Sequence, residues 1–393
     1  MLKESTLSDA PDRVLDPTFL DRFSIGDGPM SVAIKDVADI AGKPTRLACP
    51  AMRDAPQATR NAEVVSRLLE AGCRIVGKTN MHELAYGVTG LNRQYGTPVN
   101  PKFPALIPGG SSSGSATAVA GNDCDVSIGT DTGGSVRVPA ACCGIYGLKP
   151  SFGRVSRDGF TPAETSLDCV GAFARSVDDL DKVMATICDD WQGGNTVSKS
   201  MLKLLKVDAL PEITGRVTEV VRKADPFFSE IRPNCFEEAH QAGLTIIGRE
   251  ASQAFGHLIG KDGLDKDVES RLSKAQSITD QQVKQAELVR AEFTAEINKL
   301  LADCDALALP TMPIFPPTLS GAEDLMAMVN ITSLCRPFNL SGHPAISIPL
   351  TPIAGAPVAL QLVTAKGNDE KLIALARFLA GQTQSEKSVQ GEQ

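Results

Sequence analysis

Residues 109–139 read GGSSSGSATAVAGNDCDVSIGTDTGGSVRVP, and they carry the densest chemistry of the chain. Two Gly–Ser clusters stand here. The first is Gly109, Gly110, Ser111, Ser112, Ser113, Gly114, Ser115; the second is Gly129, Thr130, Asp131, Thr132, Gly133, Gly134, Ser135. A serine hydroxyl can attack an electrophile or relay a proton. Glycine adopts positive φ and lets backbone close on a ligand. Two such clusters so near each other predict one site built from two loops. Apolar, structured segments flank both, which argues against a pair of flexible linkers.

A serine nucleophile needs a base. Lys35 ends an apolar run, Val32, Ala33, Ile34. Burial disfavours a charged amine, so such a lysine can turn neutral and accept a proton. Its plain alternative is a surface lysine paired with Asp36 or Asp39. Two other motifs fit less well. Residues 72–79, GCRIVGKT, match the phosphate-loop pattern letter for letter. That motif works only between a strand and a helix; here a helix precedes it and its middle reads as strand, so Lys78 and the glycines are assigned to structure. Residues 110–114, GSSSG, match the nucleophile-elbow pattern, but prolines replace the apolar strand that an elbow requires. The four histidines, at 82, 240, 257 and 343, give no clear general base.

The elements that must hold these residues follow from periodicity. A strand runs into Lys35. Residues 61–72 have helical apolar spacing and stop at Gly72. Strands are expected at 73–76, 124–128, 305–310, 345–350 and 358–363, and helices from 115, over 177–187, 281–301 and 369–380. The alternation gives an α/β fold, with a mixed sheet covered by helices on both faces. No linker divides the chain, so residues 1–393 read as one domain, with 192–300 as a more polar helical layer.

Composition bounds the rest. The chain has 393 residues, 42% hydrophobic and 22% charged, with a net charge of −8. It has no Lys/Arg block to follow a phosphate backbone, which argues against direct nucleic-acid binding. No C-x-x-C pair occurs among the ten cysteines, so metal-ligand spacing is absent; no cofactor is expected. The polar start, MLKESTLSDAPDR, is unlike a secretory signal, and no apolar run is long enough for a membrane span. A reducing, cytoplasmic setting with thiols as small buried hydrophobes is the expectation.

Taken together these residues resemble the amidase signature family. The likeness runs from GGSSSGSA through IGTDTGGSVRVPA to CGIYGLKPS, and includes AIKDVADIAGKPT at 33–45, IVGKTNMHELAYG at 75–87 and FNLSGHPAISIPL at 338–350. It is best over 30–180 and 305–380, and the layout is similar to the compact amidases that act on indole-3-acetamide. The resemblance implies a Ser–cis-Ser–Lys triad: Ser135 as nucleophile, Ser111 after a cis Gly110–Ser111 peptide as bridge, and Lys35 as base. Spacing alone leaves Ser111, Ser112 and Ser113 equally eligible as the bridge. Backbone N–H groups of Thr132, Gly133 and Gly134 would hold an oxyanion, with Ser112, Asp131 and Arg137 in support. The expected reaction is hydrolysis of a small amide, with an apolar or aryl side, to acid and ammonia. Tyr86, Tyr95, Cys143 and the 310–317 loop are candidate pocket walls, and Arg137 would attract a carboxylate if it faced the pocket. A homodimer is the assembly the family suggests. Two alternatives stand beside this reading: a glutamine-hydrolysing component of a tRNA-dependent amidotransferase, and a non-catalytic amidase-like adaptor.

Overall fold

Eleven strands lie in a single sheet in the computed structural model, which describes residues 17–323 and 328–390. The polar start at 1–13 lies outside the described residues. In chain order the strands are β1 (Phe19–Ile25), β2 (Ser31–Lys35), β3 (Arg74–Thr79), β4 (Val126–Asp131), β5 (Tyr146–Lys149), β6 (Cys169–Ala174), β7 (Leu202–Leu205), β8 (Ser229–Ile231), β9 (Ala306–Pro310), β10 (Ala345–Ile353) and β11 (Ala356–Val363). Their order across the sheet is β1-β3-β2-β4-β6-β5-β10-β11-β9-β7-β8. β2 is parallel to both neighbours, with Ile34 opposite Lys78 on β3 and Ile128 on β4. β4 pairs antiparallel with β6, so the sheet is mixed.

Helices cover both faces. They are α1 (Glu63–Glu70), α2 (Ser113–Ala120), α3 (Arg137–Cys143), α4 (Val177–Ile187), α5 (Pro211–Ala224), α6 (Phe236–Phe255), α7 (Lys266–Ala275), α8 (Asp280–Leu301), α9 (Arg336–Leu340) and α10 (Asp369–Gln390). Side chains alternate across a strand. Val32 and Ile34 therefore join the core beneath α1, α4, α5 and α10. Ala33 turns the other way, against Ala116, Val119 and Ala140 of α2 and α3. Lys35 shares the parity of Ala33, which aims it at the serine-bearing helix.

α2 reads SGSATAVA, and every residue of it is buried. A helix enclosed on all sides between strands has room only for small side chains, which explains a composition that resembles a linker. The 192–300 segment is more than a helical layer. It adds β7 and β8 to the edge of the sheet, parallel to β9, while α5 joins one core, α8 the other and α6 both. All ten cysteines are free, nine of them buried. Among the described residues no helix is long and apolar enough to cross a membrane, and no cluster of His, Cys, Asp or Glu is placed to hold a metal.

Candidate active site

Strand β2 delivers Lys35 to the floor of the site, fully buried. Its Nζ donates to Ser111 Oγ at 2.8 Å and to Thr130 Oγ1 at 3.0 Å. It forms no ion pair among the described residues. Asp36, the alternative partner in sequence, instead pairs with Lys78 at 2.9 Å. Burial pulls the Lys35 ammonium down from 10.5 to about 7, against the upward pull of the Asp168 and Asp131 charges. An amine poised there exchanges a proton at neutral pH.

The geometry separates the three serines that spacing left equal. Ser111 follows a cis peptide bond after Gly110 and receives the lysine. Ser112 Oγ donates to the Thr130 carbonyl at 3.2 Å, and Ser113 Oγ is buried without a partner. Gly129 makes the Ser112 contact feasible, since a Cβ there would lie 2.8 Å from Ser112 Oγ.

Ser135 stands in the loop between β4 and α3. This loop is shaped from within by Asp131, whose Oδ1 accepts from Gly134 N–H at 2.7 Å and whose Oδ2 accepts from Val136 N–H at 3.1 Å. Gly134 has φ +119°, and a Cβ on it would come within 2.9 Å of Cys335, so only glycine fits. The two serine loops meet where Ser112 N–H donates to the Ser135 carbonyl at 3.3 Å. Ser111 and Ser135 are neighbours across this contact, but their hydroxyls share no hydrogen bond among the described residues.

Ser135 opens onto a solvent-connected cavity of about 150 Å³. Thr132, Gly133, Tyr86, Val88, Leu244, Ile247 and Met328 are among its walls, with His82, Arg271 and Arg336. Gly134 is absent from this lining, and its N–H is committed to Asp131. Of the residues whose N–H groups were expected to hold an oxyanion, Thr132 and Gly133 border the cavity, with Ser135 beside them. Tyr86 borders the cavity. Tyr95 and Cys143 do not. Tyr95 is 36% exposed on a turn held by Asn92 Oδ1, and Cys143 is buried in α3 with Sγ against the Pro108 carbonyl at 3.4 Å. The 310–317 loop also lies outside the lining.

Arg137 cannot greet a substrate carboxylate. Its five N–H bonds go to Asp131, Asn339, Gln361 and the Cys335 carbonyl. Asp131 and Arg137 are both fully buried, 2.8 Å apart. Burial raises the Asp131 carboxyl, and the Arg137 charge outweighs it and holds the group well below the carboxylate range. The pair braces the Ser135 loop. His82 is pushed well below its ordinary value by burial and by Arg271, whose Nη2 lies 3.2 Å from its Nε2. Lys78 lies within strand β3, near its end, and donates to the Pro44 carbonyl, so residues 72–79 form no phosphate loop.

Sequence reading missed Thr130, Arg271, Arg336 and the wall from α6. Thr130 stood in view inside the second Gly–Ser cluster. The others come from distant segments without a local motif, and only the fold brings them to the cavity.

The Amidase family model matches residues 29–214 and 229–373, which extends the likeness through most of the middle third. The chain is 34% identical over 401 residues to the A-type component of the glutamyl-tRNA(Gln) amidotransferase of Halobacterium salinarum, covering 88% of this chain and 94% of that one. It is 34% identical to Amidase 1 of Oryza sativa subsp. japonica, covering 90% and 92%. A crystal structure of an amidase superposes with a TM-score of 0.82 at 30% identity, over 91% of this chain and 85% of that one.

Proposed function

This chain belongs to the Amidase family of carbon–nitrogen amide hydrolases, and on that premise we propose that it cleaves a small carboxylic amide to acid and ammonia through an acyl-enzyme on Ser135. One observation carries the reading: a fully buried lysine, with no carboxylate in contact among the described residues, in a 2.8 Å hydrogen bond with Ser111 beside the Ser135 loop.

The neutral Lys35 amine has one lone pair. Its N–H groups serve Thr130, and the lone pair takes the Ser111 proton. Ser111 in turn takes the Ser135 proton as Ser135 Oγ bonds to the amide carbon. The carbonyl electrons move onto oxygen, where Thr132 and Gly133 N–H groups meet the charge; one such donor is typically worth about 2.7–4 kcal/mol. The relay then runs backward. The nitrogen receives the proton, the C–N bond breaks and ammonia departs. Water attacks the ester with the same amine as base and releases the acid. Such proton transfer contributes roughly 10²–10⁴-fold.

Ammonia release over a panel of aliphatic, aryl-acetic and amino-acid amides tests the proposal. Ser135→Ala removes all turnover on every amide that the wild type cleaves while leaving the thermal melt in place. Near-normal rates in that variant would reject Ser135 as the nucleophile. A second reading, a glutamine-hydrolysing component of an amidotransferase, is supported by the likeness to the Halobacterium protein along nearly its whole length. Glutaminase activity that appears only with a co-purified partner favours it.

A further inference from the structure

Arg336 opens α9 in the wall of the Ser135 cavity, and it is 5% exposed. No carboxylate pairs with it among the described residues. Its Nη1 lies 2.9 Å from His240 Nδ1, and His240 is held down to about 3 by burial and by Arg336 itself, so that partner is neutral. Its Nε is buried and has no hydrogen-bond partner. Two glycines make room for this side chain. A Cβ on Gly133 would lie 3.1 Å from Arg336 Nε, and a Cβ on Gly243 would lie 2.7 Å from Arg336 Cγ. The guanidinium therefore sits directly against the nucleophile loop. Burial lowers it to about 10, which leaves it a cation at neutral pH.

A buried cation without a counter-charge is costly. Glu237 acts on it only from a distance, without an ion pair; among the described residues no acidic side chain lines the cavity, and its walls include Leu244, Ile247 and Met328. Arg271, the other arginine of the lining, is already matched by Asp267 at 2.5 Å. The missing anion must arrive with the ligand.

We propose that Arg336 binds a carboxylate of the substrate, so that the favoured substrates are monoamides of dicarboxylic acids. Their methylenes lie along Leu244, Ile247 and Met328, and their carboxylate meets the Arg336 guanidinium where it lines the cavity. This rests on the amide-hydrolysing reading of the same cavity, and it replaces the plain apolar or aryl amide expected from sequence.

The test compares kcat/KM for glutaramate with that for pentanamide, its neutral counterpart, in the wild type, Arg336→Met and Arg336→Lys. A charge-assisted contact predicts a wild-type preference for glutaramate of about tenfold or more. Arg336→Met brings the ratio toward one, chiefly through KM for glutaramate, and Arg336→Lys recovers part of it. A wild-type ratio of one or less, or a ratio that Arg336→Met leaves in place, overturns the proposal. If Arg336→Met fails to fold, the wild-type ratio and the Lys variant decide. Glutarate binding, read by thermal shift, separates the two claims. It is expected in the wild type and Ser135→Ala and absent from Arg336→Met. That pattern without any amide turnover would sink the hydrolase reading and keep the carboxylate site. Turnover without carboxylate preference would do the reverse.

Discussion

The ends of β2 and β3 each bury a lysine, and they solve the problem of that charge in opposite ways. Ile34 pairs with Lys78 in the register, so Lys35 and Lys78 point to opposite faces of the sheet. Lys78 has Asp36 at 2.9 Å, with the Pro44 carbonyl and Thr45 hydroxyl completing its shell. Lys35 has two hydroxyls and no carboxylate contact. Asp168 and Asp131 act on it from a distance, and burial prevails over both. Lysine at equal burial is thus a structural cation in one place and a candidate base in the other. The partner decides which.

Replacing each lysine by methionine should produce crossed results. Lys35→Met removes the proposed base, and turnover should fall by roughly 10²–10⁴-fold. Its stability should rise instead, by about 1–3 kcal/mol near neutral pH, because a poorly matched amine leaves the interior. The pH dependence of that gain has a definite sign. The unfolded lysine titrates near 10.5 and the folded one near 7, so between these values the unfolded chain holds the extra proton. The wild type therefore gains stability as pH rises through this window. The advantage of Lys35→Met should be flat below about 7 and shrink toward 10.5. Denaturant melts across pH check this, and a less stable Lys35→Met protein would break the contrast.

Lys78→Met strands Asp36 in the core with only the Arg46 and Ala48 N–H groups as donors. Loss of one member of a buried pair typically costs about 3–5 kcal/mol. The melt should fall accordingly while the folded fraction keeps most of its turnover. A strong loss of activity per folded molecule would mean that Lys78 serves the site as well as the sheet.

What the sequence revealed follows from where the information lies. Lys35 was legible because an apolar run ends on it, whereas Ser135 was singled out only by the resemblance to the amidase signature. The sheet and the small-residue helix were legible from alternation and composition. The strand expected at 124–128 runs Val126–Asp131, so it carries Thr130 to the lysine, and no local pattern fixed that end. Tyr95 and Cys143 were misplaced because nearness in sequence to the motif stood in for nearness in space. The Asn92 turn and the inward face of α3 take them elsewhere. Arg336 follows a buried cysteine on a five-residue helix, and only packing against Gly133 and Gly243 shows what it faces.

Thr130→Val should give the smallest effect and the sharpest reading of the lysine comparison. If Lys35 must be neutral to act, wild-type kcat/KM falls about tenfold per pH unit below its acid limb near 7. The Thr130 hydroxyl accepts from Nζ at 3.0 Å. A hydrogen bond from an ammonium is stronger than one from an amine, so this contact favours the charged form. Removing it should lower the lysine further and move the acid limb to lower pH, by roughly half a unit to one unit. The plateau rate should fall only several-fold, since Ser111 stays in place. A merely structural threonine would change the plateau and leave the limb where it was. A limb displaced to higher pH would mean that Thr130 holds the amine neutral, and the difference between the two buried lysines would then need another cause than their partners.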